Sequence, residues 1–141
     1  MKKGTIIASA AIVGIAAMAL WNLTQSDIPQ ATASGKDAAV QLLIPSNFSE
    51  AAKMGERAFN AVCATCHGKD AVGTDVGPPL IHRIYEPSHH GDYSFEMAVA
   101  NGVRAHHWNF GNMPPQPGLT KADVAMIVAY VRELQRANGI D

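Results

Sequence analysis

Two cysteines and a histidine stand together in the stretch Cys63-Ala64-Thr65-Cys66-His67. Cysteines three positions apart can each add a thiol across one vinyl group of a haem, and the histidine that follows can supply a nitrogen to the iron. A dithiol redox pair or half of a zinc site can use the same cysteine spacing. However, the chain has no further cysteine to complete a zinc tetrahedron, and no βαβ pattern surrounds the motif as in thioredoxin-like proteins. The motif therefore predicts covalent attachment of haem c through Cys63 and Cys66, with His67 as an axial ligand.

The N-terminus has the pattern of an export sequence. Lysines stand at positions 2 and 3, and no charged residue follows between 4 and 26. That uncharged stretch approaches the about 20 apolar residues that cross a bilayer, and both lysines would stay on the cytoplasmic side. We expect residues 1–24 to remain as a membrane anchor. A cleaved signal sequence is the alternative, because small-x-small cleavage patterns occur at 17–19 and 31–33. Both outcomes predict export, to the periplasmic side of the cytoplasmic membrane.

Composition divides the rest of the chain into a linker and one domain. Residues 25–46 are small, polar and aperiodic, which is typical of a flexible linker. Residues 47–141 are long enough for one domain. This domain carries eight lysines and arginines against ten aspartates and glutamates, and its mild acidity argues against nucleic acid as a partner. Both cysteines lie in the motif, so none is left for a structural disulfide, and we expect haem to stabilise the domain instead.

Three helices are predicted in the domain. Ser49 is the N-cap of the first helix, which runs towards Cys66, and residues 94–100 form a shorter helix that ends at Asn101-Gly102. The third helix begins with a capping box at 120–123. Its apolar residues then recur at helical spacing. No stretch alternates long enough to predict a strand, so the predicted fold class is all-α. About 90 loop-rich residues enclose too little apolar volume alone, whereas a central haem would supply it.

These features together resemble the class I c-type cytochromes over about residues 48–138. In that family, a glycine and an aromatic residue four positions apart on the first helix cross two large residues on the last helix. Gly55 and Phe59 match the first pair, and Ile127 and Tyr130 match the second. Glycine lets two helix axes approach closely. The resemblance implies the cytochrome c fold: three main helices and long loops wrapped around one covalently bound haem, here preceded by the N-terminal signal or anchor helix.

The second axial position of the iron has six methionines as candidates. Two lie in the export segment and three lie in predicted helices, where methionine usually fills the core. Met113 instead lies on a loop before Pro114 and Pro115, whose fixed backbone angles hold it out of a helix. It follows His67 by 46 residues, enough chain to reach the opposite face of the haem. We predict Met113 as the second ligand, and the resemblance agrees, since Met-Pro before the last helix is the family's sixth-ligand signature.

A second part of the resemblance lies in residues 77–80, Gly-Pro-Pro-Leu, which are similar to the family's Gly-Pro-x-Leu segment. It implies that the Pro78 carbonyl accepts a hydrogen bond from Nδ1 of His67 and that Leu80 packs on the haem face. The double proline departs from the family pattern. Three further residues are candidate donors to the haem propionates, with ordinary core or surface positions as the alternative: Trp108, Tyr85 and Arg83.

Five further histidines fall between positions 82 and 107. They could form a second metal site or a pH-sensitive patch near the propionates, or be exposed loop residues whose adjacent pairs point apart. We favour separate loop residues, because no carboxylate or cysteine completes a ligand set and no two histidines share a helical face. A haem ligated by two histidines is a further alternative. The five are His82, His89, His90, His106 and His107.

The expected function is one-electron transfer without catalysis. We expect a mono-haem carrier that docks transiently with donor and acceptor proteins and has no small-molecule substrate. A methionine ligand would raise its potential relative to two histidines. Two alternatives stay open: a haem protein that reacts with peroxide or nitric oxide, and a haem subunit of a larger dehydrogenase or oxidase. The methionine loop counts against the first, whereas an anchor followed by a linker also fits the second.

Overall fold

The computed structural model describes residues 42–141. The predicted anchor or signal segment, 1–24, and most of the predicted linker lie outside this part of the chain. Among the described residues, no helix has the length and apolar content needed to cross a bilayer. These residues form helices and two isolated β-bridges, with no strand. The α-helices are α1 (Glu50–Val62), α2 (Ala64–His67), α3 (Asp92–Asn101) and α4 (Lys121–Ala137), and two 3₁₀ turns lie at Lys69–Ala71 and Arg83–Tyr85.

Helices α1 and α4 begin at the predicted capping residues. At the start of α1, the Ser49 hydroxyl accepts a hydrogen bond from the N–H of Ala52 at 3.1 Å. Before α4, the Thr120 hydroxyl accepts from the N–H of Asp123 at 3.2 Å, and the Asp123 carboxylate accepts from the N–H of Thr120 at 2.8 Å. This confirms the predicted capping box. Helix α3 starts two residues earlier than predicted and ends at Gly102, which has a φ of 73°.

Helices α1 and α4 cross at the centre of the core. A Cβ atom at Gly55 would overlap the Met126 carbonyl oxygen of α4 and would lie 2.9 Å from the nitrogen of Ile127. The fully buried ring of Phe59 lies 5.5 Å from the ring of Tyr130, centre to centre. The predicted crossing is therefore confirmed: the glycine lets the two backbones touch, and the aromatic pair fills the space beside the contact.

The chain before α1 is docked on the end of α4. The ring of Phe48 lies 5.3 Å from the ring of Tyr130. The N–H of Leu43 donates to the side-chain oxygen of Asn138 at 2.9 Å, and the Leu43 carbonyl accepts from the side-chain nitrogen of Asn138 at 2.8 Å. The last residues of the predicted linker are thus held by the domain, because one asparagine side chain satisfies both backbone groups of Leu43.

Arg132 of α4 joins three parts of the fold through a buried guanidinium. The residue is only 6 % exposed. Its nitrogens donate to the carbonyls of Tyr85 at 2.7 Å and His90 at 2.5 Å, and to the carboxylate of Asp92 at 2.8 Å. The guanidinium also lies 5.0 Å from the centre of the Phe95 ring. Arg132 therefore connects α4 to the loop before α3 and to α3 itself.

Gln135 extends this connection one turn along α4. It is fully buried, and its amide nitrogen donates to the carbonyl of Leu80 at 2.8 Å and to that of Tyr85 at 3.1 Å. Its amide oxygen accepts from Arg132 at 2.6 Å. The amide nitrogen and the amide oxygen of Gln135 are both hydrogen-bonded. Burial of the Arg132 and Gln135 side chains is therefore compatible with a stable core.

Candidate functional site

The cysteine motif forms one helical turn that continues α1. Cys63 has helical backbone angles, and its N–H donates to the carbonyl of Phe59 at 2.7 Å. The N–H of His67 donates in turn to the carbonyl of Cys63 at 2.9 Å. Cys63 and Cys66 are both free thiols. A continuous turn thus presents two thiols and an imidazole from a rigid element, which is what attachment to a single flat group needs.

The acidity of Cys63 does not suit a dithiol redox pair. Burial, and to a smaller extent the neighbouring Cys66 thiol, raises the pKa of Cys63 to about 11. Redox-active cysteines instead have a lowered pKa, because the thiolate is the reactive form. At neutral pH the Cys63 thiol stays protonated, which argues against the redox alternative.

His67 is held in one orientation by a proline carbonyl. Its Nδ1 lies 2.9 Å from the carbonyl oxygen of Pro78, so the hydrogen bond implied by the family resemblance is present. Because a carbonyl can only accept, Nδ1 carries the proton and Nε2 holds the free lone pair. Burial lowers the pKa of His67, and the hydrogen bond to Pro78 opposes this only in part. The ring is therefore neutral near pH 7, with Nε2 ready to bind a metal.

Gly77 allows the loop after the motif to return to it. A Cβ atom at this position would lie 2.6 Å from the carbonyl oxygen of Cys66, closer than a side chain can approach. The hydroxyl of Thr74 donates to the same Cys66 carbonyl at 2.5 Å. This close packing brings Pro78, rather than the second proline, to His67. The double proline is accommodated without loss of the hydrogen bond.

Leu80 belongs to the hydrophobic core. It is 8 % exposed and clusters with Phe59 and Tyr130. Its N–H donates to the carbonyl of Ala71 at 2.8 Å, and its carbonyl accepts from Gln135. The backbone of Leu80 is therefore fixed from two sides, and packing of its side chain on a haem stays a prediction.

Met113 is pinned to the end of α3. Its N–H and carbonyl exchange two hydrogen bonds of 2.9 Å with Val103. Gly102 makes room for this pairing, since a Cβ atom there would overlap the Met113 carbonyl and lie 3.0 Å from the nitrogen of Pro115. The hydrogen bonds of Met113 thus run to Val103 and not to the cysteine motif. The loop between them carries the methionine at a defined place, and ligation by its sulfur stays a prediction.

Similarity to known proteins shows the family of this chain. A family model described as cytochrome c matches residues 52–135, more than half of the chain. The chain belongs to the cytochrome c family. Membership implies a c-type cytochrome, an electron carrier with covalently bound haem. A solved structure, cytochrome CL from the marine methylotrophic bacterium Methylophaga aminisulfidivorans, is similar at 29% sequence identity over 70% of this chain and 69% of its own, with a TM-score of 0.44. No curated protein matches the sequence.

An unpartnered donor in this cytochrome fits the acidic groups of a haem. The indole Nε1 of Trp108 is buried and makes no hydrogen bond of ordinary geometry among residues 42–141, although it is near enough to the Tyr85 hydroxyl to affect the pKa of that group. Such a donor costs free energy unless an acceptor reaches it, and a haem propionate is a suitable acceptor. Of the other candidate donors, Arg83 is exposed. Burial raises the pKa of Tyr85, so its hydroxyl keeps a proton to donate.

Four of the remaining histidines of the cytochrome gather at one place. His89 and His90 precede α3, and His106 and His107 follow it. Nε2 of His89 lies 3.3 Å from Nε2 of His107, and the rings of the two adjacent pairs lie 4.6 Å and 4.3 Å apart. Our favoured interpretation, separate loop residues that point apart, is therefore wrong for these four. Helical spacing was the wrong criterion, because two loops bring the histidines together.

His82 lies apart from this group. Its Nδ1 accepts from the N–H of Ile84 at 3.2 Å and so caps the second 3₁₀ turn, and its ring packs edge-on against Trp108 at 5.0 Å. His107 is exposed, and slight desolvation, followed by the neighbouring His106, His90 and His89, lowers its pKa below the ordinary value. His107 is therefore neutral near pH 7.

Proposed function

We propose that this cytochrome binds one haem c and carries single electrons between redox partner proteins on the periplasmic side of the membrane. The observation that carries the proposal is the hydrogen bond from His67 to Pro78, made by a helical turn that also holds two free cysteines. When bound, haem supplies one-electron chemistry as its iron alternates between the ferrous and ferric states. One motif in the sequence corresponds to one haem.

Each residue of the site has a defined task in this proposal. Cys63 and Cys66 would form the two thioether bonds, and His67 would bind the iron through Nε2. Pro78 keeps the imidazole in the correct tautomer and increases its basicity. Met113 would supply a thioether as the second protein ligand of the iron, which would raise the potential relative to a second histidine. Leu80 would pack against the haem face.

Ligation by Met113 would favour a carrier over an enzyme. Two backbone hydrogen bonds hold Met113 beside Val103, and a sulfur bound to the iron would leave no free position for peroxide or nitric oxide. A permanent subunit of a larger dehydrogenase or oxidase would use the same ligands. The predicted N-terminal anchor would tether the domain at high local concentration near its partners, and it is part of this proposal.

Three measurements on the full-length protein test the proposal. Haem should stay with the denatured chain in acidified organic solvent, and the iron-to-protein ratio should be one. The purified protein should undergo reversible one-electron reduction and, when reduced, should not bind carbon monoxide. Freely extracted haem would contradict covalent attachment, and rapid carbon monoxide binding would favour the reactive haem protein. Purification under native conditions shows whether the protein is a free carrier or a subunit of a larger complex.

A further inference from the structure

We propose that His89, His90 and His107 form a binding site for one divalent transition-metal ion, distinct from the haem ligands His67 and Met113. Each of the three offers one ring nitrogen, and these nitrogens all lie within 4.8 Å of one another. The histidines come from the two loops that flank α3. The fold therefore brings together three nitrogen donors whose proximity could not be predicted from their spacing in the sequence.

The closest pair has the separation of two ligands on a tetrahedral ion. Nε2 of His89 and Nε2 of His107 are 3.3 Å apart. Imidazole nitrogens bind zinc at about 2.0–2.1 Å, and at a tetrahedral angle two such nitrogens are separated by about 3.3 Å. A hydrogen bond between two neutral imidazoles has a similar length, so it is the competing explanation of this contact.

His90 is already oriented as a ligand. Its Nδ1 lies 2.5 Å from the carbonyl of Ile84, which can only accept, so the free lone pair is on Nε2. Metal-binding histidines commonly donate their other nitrogen to a backbone carbonyl in this way. The carbonyl of His90 accepts in turn from the buried Arg132. Both the ring tautomer and the main chain of His90 are thus fixed by the protein.

A fourth position and a route from solvent are available. The ring of His106 lies 4.3 Å from that of His107, and its Nδ1 lies 2.8 Å from the carbonyl of Arg104. The set of nitrogens within 4.8 Å of one another does not include His106, so a water would complete four ligands. His106 and His107 also line an open cleft of about 410 Å³, and His89 is exposed. An ion can therefore reach the site directly.

The donor set selects the kind of metal. Neutral imidazoles suit zinc, copper and nickel, whereas magnesium and calcium require oxygen ligands. Among these ions, Cu²⁺ is expected to bind most tightly, following the general order of affinities for nitrogen sites. Zn²⁺ is the better first probe, because it has no redox chemistry of its own and cannot exchange electrons with the haem.

Calorimetric titration of the haem-loaded protein with Zn²⁺ tests the site. The protein carries no polyhistidine tag, and the buffer is free of chelators at about pH 7.5, where ordinary histidines are neutral. We expect one Zn²⁺ per chain. Loss of a residue that only supports a metal ligand weakens metal binding by about 10- to 100-fold. His89→Ala and His107→Ala each remove a ligand, so each should weaken Zn²⁺ binding by more than this. Cu²⁺ bound to the original protein should show nitrogen hyperfine splitting in its electron paramagnetic resonance spectrum.

His82→Asn is the matched control. It removes an imidazole outside the cluster, and the asparagine oxygen can still accept from the N–H of Ile84. This variant should bind Zn²⁺ as the original protein does. Absence of Zn²⁺ binding to a correctly folded haem protein would overturn the proposal and leave a hydrogen-bonded imidazole pair. Unchanged binding in His89→Ala and His107→Ala, or equal loss in His82→Asn, would also overturn it.

Discussion

The hydrogen bond from His67 to Pro78 determines which nitrogen of the ring can bind iron. A histidine directly after a cysteine pair has two tautomers in the unfolded chain, and only one of them presents Nε2. The carbonyl of Pro78, 2.9 Å from Nδ1, selects that tautomer, while burial keeps the ring neutral by lowering the pKa of His67. A single backbone contact, 11 positions away in the chain, thereby prepares the ligand.

Met113→Ala should remove the second iron ligand. In the ferric protein we expect the weak sulfur-to-iron charge-transfer band near the red end of the spectrum to disappear. The reduced variant should bind carbon monoxide, because alanine has no donor atom. Absorption spectra of the ferric and reduced forms measure both effects.

Met54→Ala is the control for this substitution. Met54 lies on α1 and is 45 % exposed, so its loss should leave the band unchanged. A band that persists in Met113→Ala would show that another methionine binds the iron and that our loop assignment is wrong.

Two kinds of contact organise the elements: caps that start the helices and one crossing that packs them. The capping box of α4 pairs Thr120 with Asp123 in both directions. The crossing of α1 and α4 depends on Gly55, where the backbones meet without a side chain between them. Caps act within one turn, whereas the crossing joins residues about seventy positions apart. The crossing therefore determines how the two helices are arranged.

Gly55→Ala should destabilise the haem-loaded protein by about 1–3 kcal/mol or more, the usual cost of overpacking a close contact. The added Cβ would overlap the carbonyl oxygen of Met126, so one helix must move. Unfolding in guanidinium chloride, followed by circular dichroism, measures the change. Gly91→Ala is the control, since its Cβ would meet only the Pro87 carbonyl at 3.5 Å. Equal stability of the two variants would contradict a close crossing.

The capping box should make stability depend on pH in the acidic range. Hydrogen bonds from the hydroxyl and the N–H of Thr120 lower the pKa of Asp123 below its ordinary value. The ionised carboxylate therefore stabilises the fold above the unfolded pKa of about 3.9. This contribution disappears as the pH falls through the lower folded pKa. Asp123→Asn lacks this dependence.

Melting temperatures from about pH 6 to 3 compare the two proteins over the range where Asp123 titrates. The original protein should be the more stable near pH 6, and its advantage over Asp123→Asn should shrink towards pH 3. Other titrating groups are common to both proteins and cancel in the difference. A constant difference across this range would show that the Asp123 carboxylate does not contribute through its charge.

Helix α4 contacts both α1 and the loop that follows the cysteine motif. One face meets α1, and Arg132 and Gln135 bind the carbonyls of the loop from Leu80 to His90. That loop follows the Pro78 segment and carries His89 and His90. The segment that follows Pro78 and the proposed metal site are thus attached to the same helix.

Arg132→Met should destabilise the protein by on the order of 3 kcal/mol, because buried carbonyls lose their donor. The exposed Asp92 carboxylate, whose side chain is 68% exposed, contributes little to this loss, since water replaces its partner. Chemical unfolding of the haem-loaded protein measures the effect. Arg136→Met is the control, being exposed on the same helix. Similar small losses in both variants would contradict the supporting role of Arg132.

Features that depend on neighbours a few positions apart could be predicted from the sequence alone. The cysteine motif, the Ser49 cap, the capping box and the apolar face of α4 all follow from local spacing and propensity. The family resemblance added two long-range contacts, the helix crossing at Gly55 and the bond from His67 to Pro78. Both contacts are present among residues 42–141.

Contacts between distant polar groups depend on the tertiary structure. The sequence gives no sign that Arg132 is buried, yet its acceptors outside α4 lie 40 to 47 positions away. His89 and His107 are 18 positions apart and lie on different loops, before and after α3, so no periodicity of a single helix or strand relates them. The paths of the loops on either side of α3 bring them together. Loop paths depend on the whole set of packing and hydrogen-bond contacts, so no local pattern predicts them.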